Sequence, residues 1–431
     1  MTFQFPDGFL WGSATSAHQV EGENVHSDWW AWEQAGRVKD RSGSACDHYR
    51  RFNEDFDLAV QLGHTAHRFS VEWSRVEPAP GRWDGEALAH YVEVVQALRR
   101  RRLEPIVTLH HFTTPQWLAV RGGWAAPEAV EAFARYAERV AGALGGLVRY
   151  WVTINEPMVL VRMHYLQGLG PPGVRDFGQA LRVIEHLIRA HAAAYRILHA
   201  ARRTGEPRPW VSIAHHVPAF WPCRRWWPPD RVITSLTDRI FNVAVLEALT
   251  EGRWSVPGVW TWRIPDAQGT LDYLGLNYYG RQFIRWAPSE PVWPGTSCDL
   301  GHHPREVTER TSFGWDVHPA SFTAALLQCG RLGLPILVME NGTWMEDDGR
   351  RWRYILRHLQ ALARALQQGV PVIGYCYWSL LDNFEWADGF APRFGLIEVD
   401  YATQRRTIRD SAWRYAEICK SNQISNLKDQ K

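Results

Sequence analysis

Lysine is almost absent from this chain. It stands at Lys39, Lys420, Lys428 and Lys431 only, so nearly all of the 48 basic residues are arginine. An excess of charge is missing too. The formal net charge is +2, so no strong field points at nucleic acid or an anionic membrane. The one basic run, residues 99–102, ends a helical stretch, where cations complement the helix dipole. Cysteine is scarce and scattered: Cys46, Cys223, Cys298, Cys329, Cys376 and Cys419 form no CxxC pair and no framework spacing. With no Cys/His cluster visible along the chain, a reducing compartment is expected. Cys376 lies in an apolar run and reads as a small core residue. No apolar stretch approaches the length that spans a bilayer. The first seven residues lack a basic flank and an apolar segment, so no signal peptide is expected. These absences together describe a soluble, cytoplasmic enzyme.

What is present is length, aromatic rings and a strong alternation. A chain of 431 residues accommodates one large α/β barrel or two to three average domains. Eight short apolar runs read as strands, at 9–14, 67–71, 105–109, 150–154, 211–214, 273–276, 336–339 and 372–377. Between them lie stretches of helical periodicity at 52–62, 88–98, 130–144, 180–201, 240–249, 320–332 and 354–366. Strands alternating with helices indicate βα units and a parallel sheet, and eight such units favour a closed (β/α)8 barrel. A single catalytic barrel is expected over 1–419. The last twelve residues, 420–431, hold three of the four lysines and no arginine. This composition shift reads as a disordered or appended tail. Two stretches that follow strands, 218–229 and 287–311, are rich in Trp and Pro or in Pro, Gly and His, and read as loops framing a pocket.

In a parallel barrel the C-terminal strand tips form one rim, which carries the active site. Two tips end in glutamate: Glu156 in Asn155-Glu156-Pro157 and Glu340 in Glu340-Asn341-Gly342. Each alone reads as a strand end and a turn, since Asn-Gly readily takes positive φ. Together they place paired carboxylates on one rim, which is what cleavage of a glycosidic bond requires. The 24 tryptophans point the same way, because several sit beside polar residues at strand ends, as Trp378 and Trp386 do. An indole face next to hydrogen-bonding groups suits a sugar ring. Other patterns carry less. Gly168-Leu169-Gly170-Pro171-Pro172-Gly173 matches GxGxxG but follows no strand, and its prolines interrupt the helix start that a dinucleotide needs. The pairs His110-His111, His215-His216 and His302-His303 lack a carboxylate at helical ligand spacing, so no metal and no cofactor is expected. His111 reads instead as a hydrogen-bond donor to substrate.

These motifs resemble glycoside hydrolase family 1, the β-glucosidase and β-galactosidase family, from Phe9 to about Tyr415. The N-terminal signature runs from Phe9-Leu10-Trp11-Gly12 to Glu21-Gly22. Arg68-Phe69-Ser70, Thr153-Ile154-Asn155-Glu156-Pro157, Leu276-Asn277-Tyr278-Tyr279, Glu340-Asn341-Gly342 and the segment from Trp378 to Trp386 match as well. The resemblance implies a retaining β-glycosidase with Glu156 as acid/base and Glu340 as nucleophile. It implies that Arg68 and Tyr279 hold the nucleophile. Gln19, His111, Asn155, Asn277, Glu385 and Trp386 then bind the sugar, and Trp378 forms the floor under its ring. Glu385 would repel a phosphate, so a neutral sugar is expected. Met158, where the family often has Trp, and Phe112-Thr113, where many members have Trp and Asp, depart from the pattern. Met158 is expected in the wall on the aglycone side. Two rival readings remain at this point: a transglycosylase using the same intermediate, and a non-catalytic sugar-binding barrel. The expected partner is a small β-glycoside or oligosaccharide, with no nucleic acid and no membrane.

Overall fold

A computed structural model describes residues 2–256, 260–290 and 292–425. Eight strands close into a parallel barrel, and each matches one of the apolar runs. They are β1 (Leu10–Ala14), β2 (Ala66–Ser70), β3 (Glu104–His110), β4 (Tyr150–Asn155), β5 (Trp210–His216), β6 (Leu274–Asn277), β7 (Ile336–Asn341) and β8 (Val372–Trp378). Spatial order follows chain order, and β8 pairs with β1 to close the ring. The strands β4 and β7 are buried at every position, as strands covered on both faces must be. Inside the barrel, Ala14, Ala66, Ile106, Val152, Leu337 and Cys376 belong to one apolar cluster. Tyr273 bridges across it, its hydroxyl donating to the Trp151 carbonyl at 3.0 Å. Cys376 is therefore a core residue, as its apolar run suggests.

The surrounding helices begin where acidic side chains can cap them. Asp84 accepts from two backbone N–H groups at the start of Gly85–Arg100, Asp176 caps Phe177–Ala200 and Asp347 caps Asp348–Gln367. Each such cap satisfies a donor that the first helical turn leaves free. The basic run ends the helix at Arg100, and Arg99 forms a bidentate pair with Glu104.

Three expectations need correction. Residues from Lys420 do not start a detached tail. The helix Asp410–Ser421 runs through Lys420, and Gln423–Ser425 pairs antiparallel with Thr2–Gln4, stitching the two ends of the chain together. Residues 426–431 lie outside the described ones. The two presumed loops also carry structure. Ala219–Pro222 and Gly295–Ser297 flank Arg281–Trp286 in a three-stranded sheet, parallel on one side and antiparallel on the other. Trp and Pro density hid this sheet, because proline demotes a strand reading. Finally, Cys223 and Cys298 are joined in a disulfide, although 75 residues separate them. Long-range pairing of two elements that read as loops leaves no spacing signal.

Candidate active site

Glu156 and Glu340 open into one cavity of about 460 Å³ at the C-terminal end of the barrel. Gln19, His111, Tyr279, Trp378, Glu385 and Trp386 share its wall. The other three expected site residues, Arg68, Asn155 and Asn277, do not line it. They are fully buried and stand behind the two carboxylates.

That buried layer sets up the pair. Arg68, on β2, donates through Nη1 to Glu340 Oε1 at 2.5 Å, through Nη2 to Asn155 Oδ1 at 2.7 Å and through Nε to Thr108 Oγ1 at 3.1 Å. Tyr279 donates its hydroxyl to the other Glu340 oxygen at 2.7 Å. Both oxygens of Glu340 are thus held by donors, one of them a cation, an arrangement that stabilises a carboxylate. Asn277 Nδ2 donates to Glu156 Oε1 at 2.8 Å. Asn277 was expected to contact sugar. Its amide instead orients the second glutamate.

The electrostatics of Glu156 are opposite in kind. Burial, and next the charge of Glu340, push its carboxyl well above the usual carboxylate range, and the Asn277 hydrogen bond and Arg68 only partly offset this. A carboxyl raised in this way keeps its proton to higher pH than an ordinary carboxylic acid and can donate it. Its backbone is held in the left-handed region, at φ 44° and ψ 59°, which costs on the order of 1–3 kcal/mol for a residue with a side chain. Three hydrogen bonds secure it: its N–H donates to the Ala214 carbonyl at 2.7 Å, and its carbonyl accepts from Val159 and Leu160, both at 3.0 Å. Phe112 and Trp386, also in the cavity wall, have positive φ as well. Residues off the preferred backbone regions gather at functional sites.

Around Glu340 the chain does not turn as expected. β7 continues through Asn341, and neither Asn341 nor Gly342 has positive φ. Gly342 is required by proximity, because a Cβ there would lie 1.8 Å from the Trp378 carbonyl oxygen. The glycine lets the chain after Glu340 lie against the end of β8.

The polar groups of the cavity wall form a second network. Gln19 Nε2 reaches the Phe384 carbonyl at 2.9 Å, Asn383 Oδ1 at 3.0 Å and Glu385 Oε2 at 3.3 Å. Glu385 is pushed up to about 8, by burial first and then by the charges of Glu340 and Asp388. With Asn155 Oδ1 occupied by Arg68, its Nδ2 faces His111 Nε2 at 3.2 Å and donates to it. The His111 proton then sits on Nδ1. Burial and the nearby Arg68 hold this ring well below the usual histidine range, so it is neutral. The rings of Trp378 and Trp386 lie nearly parallel to it, at 16° and 11°.

Several wall residues were not expected at the site: Phe112, Arg162, His216, Phe313, Trp315 and Phe394. His216 was weighed only as half of a histidine pair. It lies 3.7 Å from Glu156 and is held neutral by burial, its pKa pushed down to about 3. Phe313 and Phe394 come from segments with no pattern. Met158 needs correction as well. It lines an adjoining, largely apolar cavity of about 490 Å³ that shares Arg162, Gln167, Phe241 and Ser297 with the first. Val159 and Met163 face the carboxylates' cavity in its stead.

The family model described as "Glycosyl hydrolase family 1" matches residues 1–424. The chain belongs to glycosyl hydrolase family 1. Among solved structures, a β-glycosidase from Pyrococcus horikoshii is 38% identical, with a TM-score of 0.90 over 99% of this chain and 97% of that one. A β-glucosidase from Thermotoga maritima in complex with glucoimidazole is 30% identical, with a TM-score of 0.89 over 97% and 99%. A bifunctional β-D-glucosidase/β-D-fucosidase from Bifidobacterium breve is 32% identical, over 95% of this chain and 97% of its own length. As a member of family 1 this chain is a glycosyl hydrolase built on a (β/α)8 barrel. Among its described residues, no helix is long and apolar enough to cross a membrane.

Proposed function

We propose that this glycosyl hydrolase is a retaining exo-β-glycosidase. It releases a neutral sugar from the non-reducing end of small β-glycosides, glucosides foremost, with galactosides and fucosides as side substrates. The observation that carries the reading is the contrast within one cavity: Glu340 braced by Arg68 and Tyr279, Glu156 pushed toward its protonated form by burial and by Glu340. The name of the Bifidobacterium relative supports the breadth of substrates.

In this reading the Glu340 carboxylate attacks the anomeric carbon while Glu156 gives its proton to the departing glycosidic oxygen. Esterification removes the negative charge of Glu340. That charge is, after burial, the largest cause raising the Glu156 carboxyl, so Glu156 becomes more acidic when it must act as a base. It then takes a proton from water, which attacks the anomeric carbon from the face the leaving group vacated and releases Glu340. Two inversions give net retention. Glu385 and Gln19 bind adjacent hydroxyls of the sugar, the Glu385 carboxyl by hydrogen bonds.

The reading includes a cytoplasmic location. The four free, buried cysteines fit it, whereas the Cys223–Cys298 disulfide is one that a reducing compartment would open. Proton NMR of the first sugar released from a nitrophenyl β-glucoside tests the mechanism. The β-anomer is expected to appear first, and an initial α-anomer would overturn the assignment of roles. A panel of nitrophenyl β-glycosides ranks the sugars, with glucoside expected on top.

A further inference from the structure

The outer wall of the cavity contains a group of side chains that the hydrolysis does not use. Cys223 Sγ, Cys298 Sγ and a ring nitrogen of His302 lie within 4.8 Å of one another. They come from three places: the end of the strand Ala219–Pro222, the residue after the strand Gly295–Ser297, and the short turn Leu300–His302. The strand between them positions both sulfurs. Cys223 N–H donates to the Ile284 carbonyl at 2.8 Å, and Cys298 N–H to the neighbouring Phe283 carbonyl at 2.7 Å. Asp299 caps the turn by accepting from Gly301 N–H.

We propose that in the thiol-reduced protein Cys223, Cys298 and His302 bind one Zn²⁺ ion, with water in the fourth position. Two geometric facts support this. His302 Nδ1 lies 3.5 Å from Cys298 Sγ. Sulfur and nitrogen ligands of a tetrahedral zinc ion, with bonds near 2.3 and 2.0–2.1 Å, stand about 3.5 Å apart. Secondly, His303 stands beside the cluster in a fixed orientation. Its Nδ1 faces Glu306 Oε2 at 2.9 Å, and its ring stacks on Phe283 at 3.7 Å. A carboxylate on one ring nitrogen keeps the proton there and leaves the lone pair of the other directed at Cys298 Sγ, 3.4 Å away, which orients that sulfur. Glu306 is itself held by Arg225 at 3.1 Å. Cys298 is buried and Cys223 half-buried, while His302 is exposed and provides the route in.

The metal site and the disulfide are alternative states of one cluster. A dithiol reductant adds two electrons and two protons across the S–S bond and leaves as its own cyclic disulfide. Zinc then displaces both thiol protons to solvent and binds two thiolates. Either state ties residue 223 to residue 298, and Cys298 lines the catalytic cavity. The ion would brace the aglycone side without touching the reacting carbon. This inference stands whether or not the sugar preference proposed above is correct.

The test uses the full chain, reduced with a phosphine, freed of reductant under argon and titrated with Zn²⁺ against a chromophoric chelator. One equivalent per chain is expected, bound at least tenfold more tightly than by the oxidised protein. Co²⁺ in place of Zn²⁺ should give visible bands of a tetrahedral ion together with a thiolate-to-metal charge-transfer band. Cys223→Ser should abolish that band, and His302→Ala should weaken binding at least tenfold. If Cys223→Ser does not fold, iodoacetamide-blocked wild-type protein takes its place. Equal Zn²⁺ uptake by reduced and oxidised protein, a cobalt spectrum without the thiolate band, or unchanged affinity in His302→Ala would each overturn the site.

Discussion

The inner end of the cavity and its outer wall are built on different principles. At the inner end, Arg68, Asn155, Asn277 and Glu340 sit on four barrel strands, all buried, and are joined by hydrogen bonds of 2.5 to 3.3 Å. The outer wall is carried by the three-stranded sheet and by segments around Phe313 and Trp315, where Trp221 and Gln282 are half-buried and Trp286 is exposed. Groups on barrel strands cannot move without disturbing the core, so charge can be preorganised there. Groups on excursions between strands can change without disturbing it. The chemistry therefore belongs to the inner end, and selectivity for what leaves belongs to the outer wall.

The sharpest attempt to break that division removes the proposed nucleophile. Glu340→Gly should lower kcat by on the order of 10⁴-fold or more, as loss of a covalent nucleophile does. Azide should restore turnover and yield the α-glycosyl azide, since it attacks from the face that Glu340 leaves open. A β-azide product would place the nucleophile elsewhere. Next in size is Glu156→Ala. Loss of a general acid should cost about 10²–10⁴-fold on substrates with poor leaving groups. Dinitrophenyl β-glucoside should still show a burst of phenol, because only the second step then lacks its base. The pH profile carries a sign. Glu156 must be protonated to donate, and its pKa is raised, so kcat/KM of the wild type falls on the alkaline side as pH rises through that pKa. The alkaline limb should vanish in Glu156→Ala. If it persists, another group is the acid.

The same division explains what the sequence revealed. All eight strands were legible because a strand covered on both faces must be a continuous apolar run, and a polar residue at its end then stands out, as Glu156 and Glu340 do. Arg68 and Asn277 could be placed at the site, but their depth could not. That they stand behind the carboxylates depends on which face each strand tip turns inward, and in a parallel strand apolar on both sides the pattern does not distinguish the faces. The outer sheet was hidden altogether. Its strands are three to six residues long, half-exposed and bounded by Pro222 and Pro294, and its parallel pairing joins segments about sixty residues apart. The disulfide was invisible for the same reason. Phe394 and Phe313 reach the cavity only through the path of long connections, which local periodicity does not encode.

A smaller effect sharpens the border between the two regions. Glu385→Gln keeps the shape but removes a charge that burial and Glu340 disfavour. Loss of the carboxyl's hydrogen bonds to the sugar should cost about 10- to 100-fold in kcat/KM. Stability should respond in the opposite direction. The folded pKa of about 8 lies above the ordinary 4.5, so between those values the native state binds more protons than the unfolded chain. Stability from this group is fully present below pH 4.5 and is lost as pH rises through about 8. Glu385→Gln should therefore lose less Tm between pH 5 and pH 9 than the wild type does, as differential scanning calorimetry would read. An equal loss would mean that Glu385 is ionised throughout.

The smallest effect belongs to Arg162, which spans the border. It follows the turn after Glu156, and its guanidinium reaches Gln282 Oε1 at 3.0 Å and Ser297 Oγ at 3.3 Å, both in the outer sheet. Arg162→Met keeps the length and removes both bonds. Two neutral-acceptor hydrogen bonds at a half-buried site contribute about 0.5–1.5 kcal/mol each, so KM for cellobiose should rise about 3- to 10-fold as the aglycone side loosens. With dinitrophenyl β-glucoside the aglycone has left before the slow step. Its kcat should therefore stay within about twofold of wild type, because water attacks an intermediate bound only by the inner network. A fall in that kcat would mean that Arg162 transmits order from the outer sheet to Glu156 through the intervening helical turn. The wall and the catalytic pair would then be one mechanical unit, and selectivity could not be altered without altering rate.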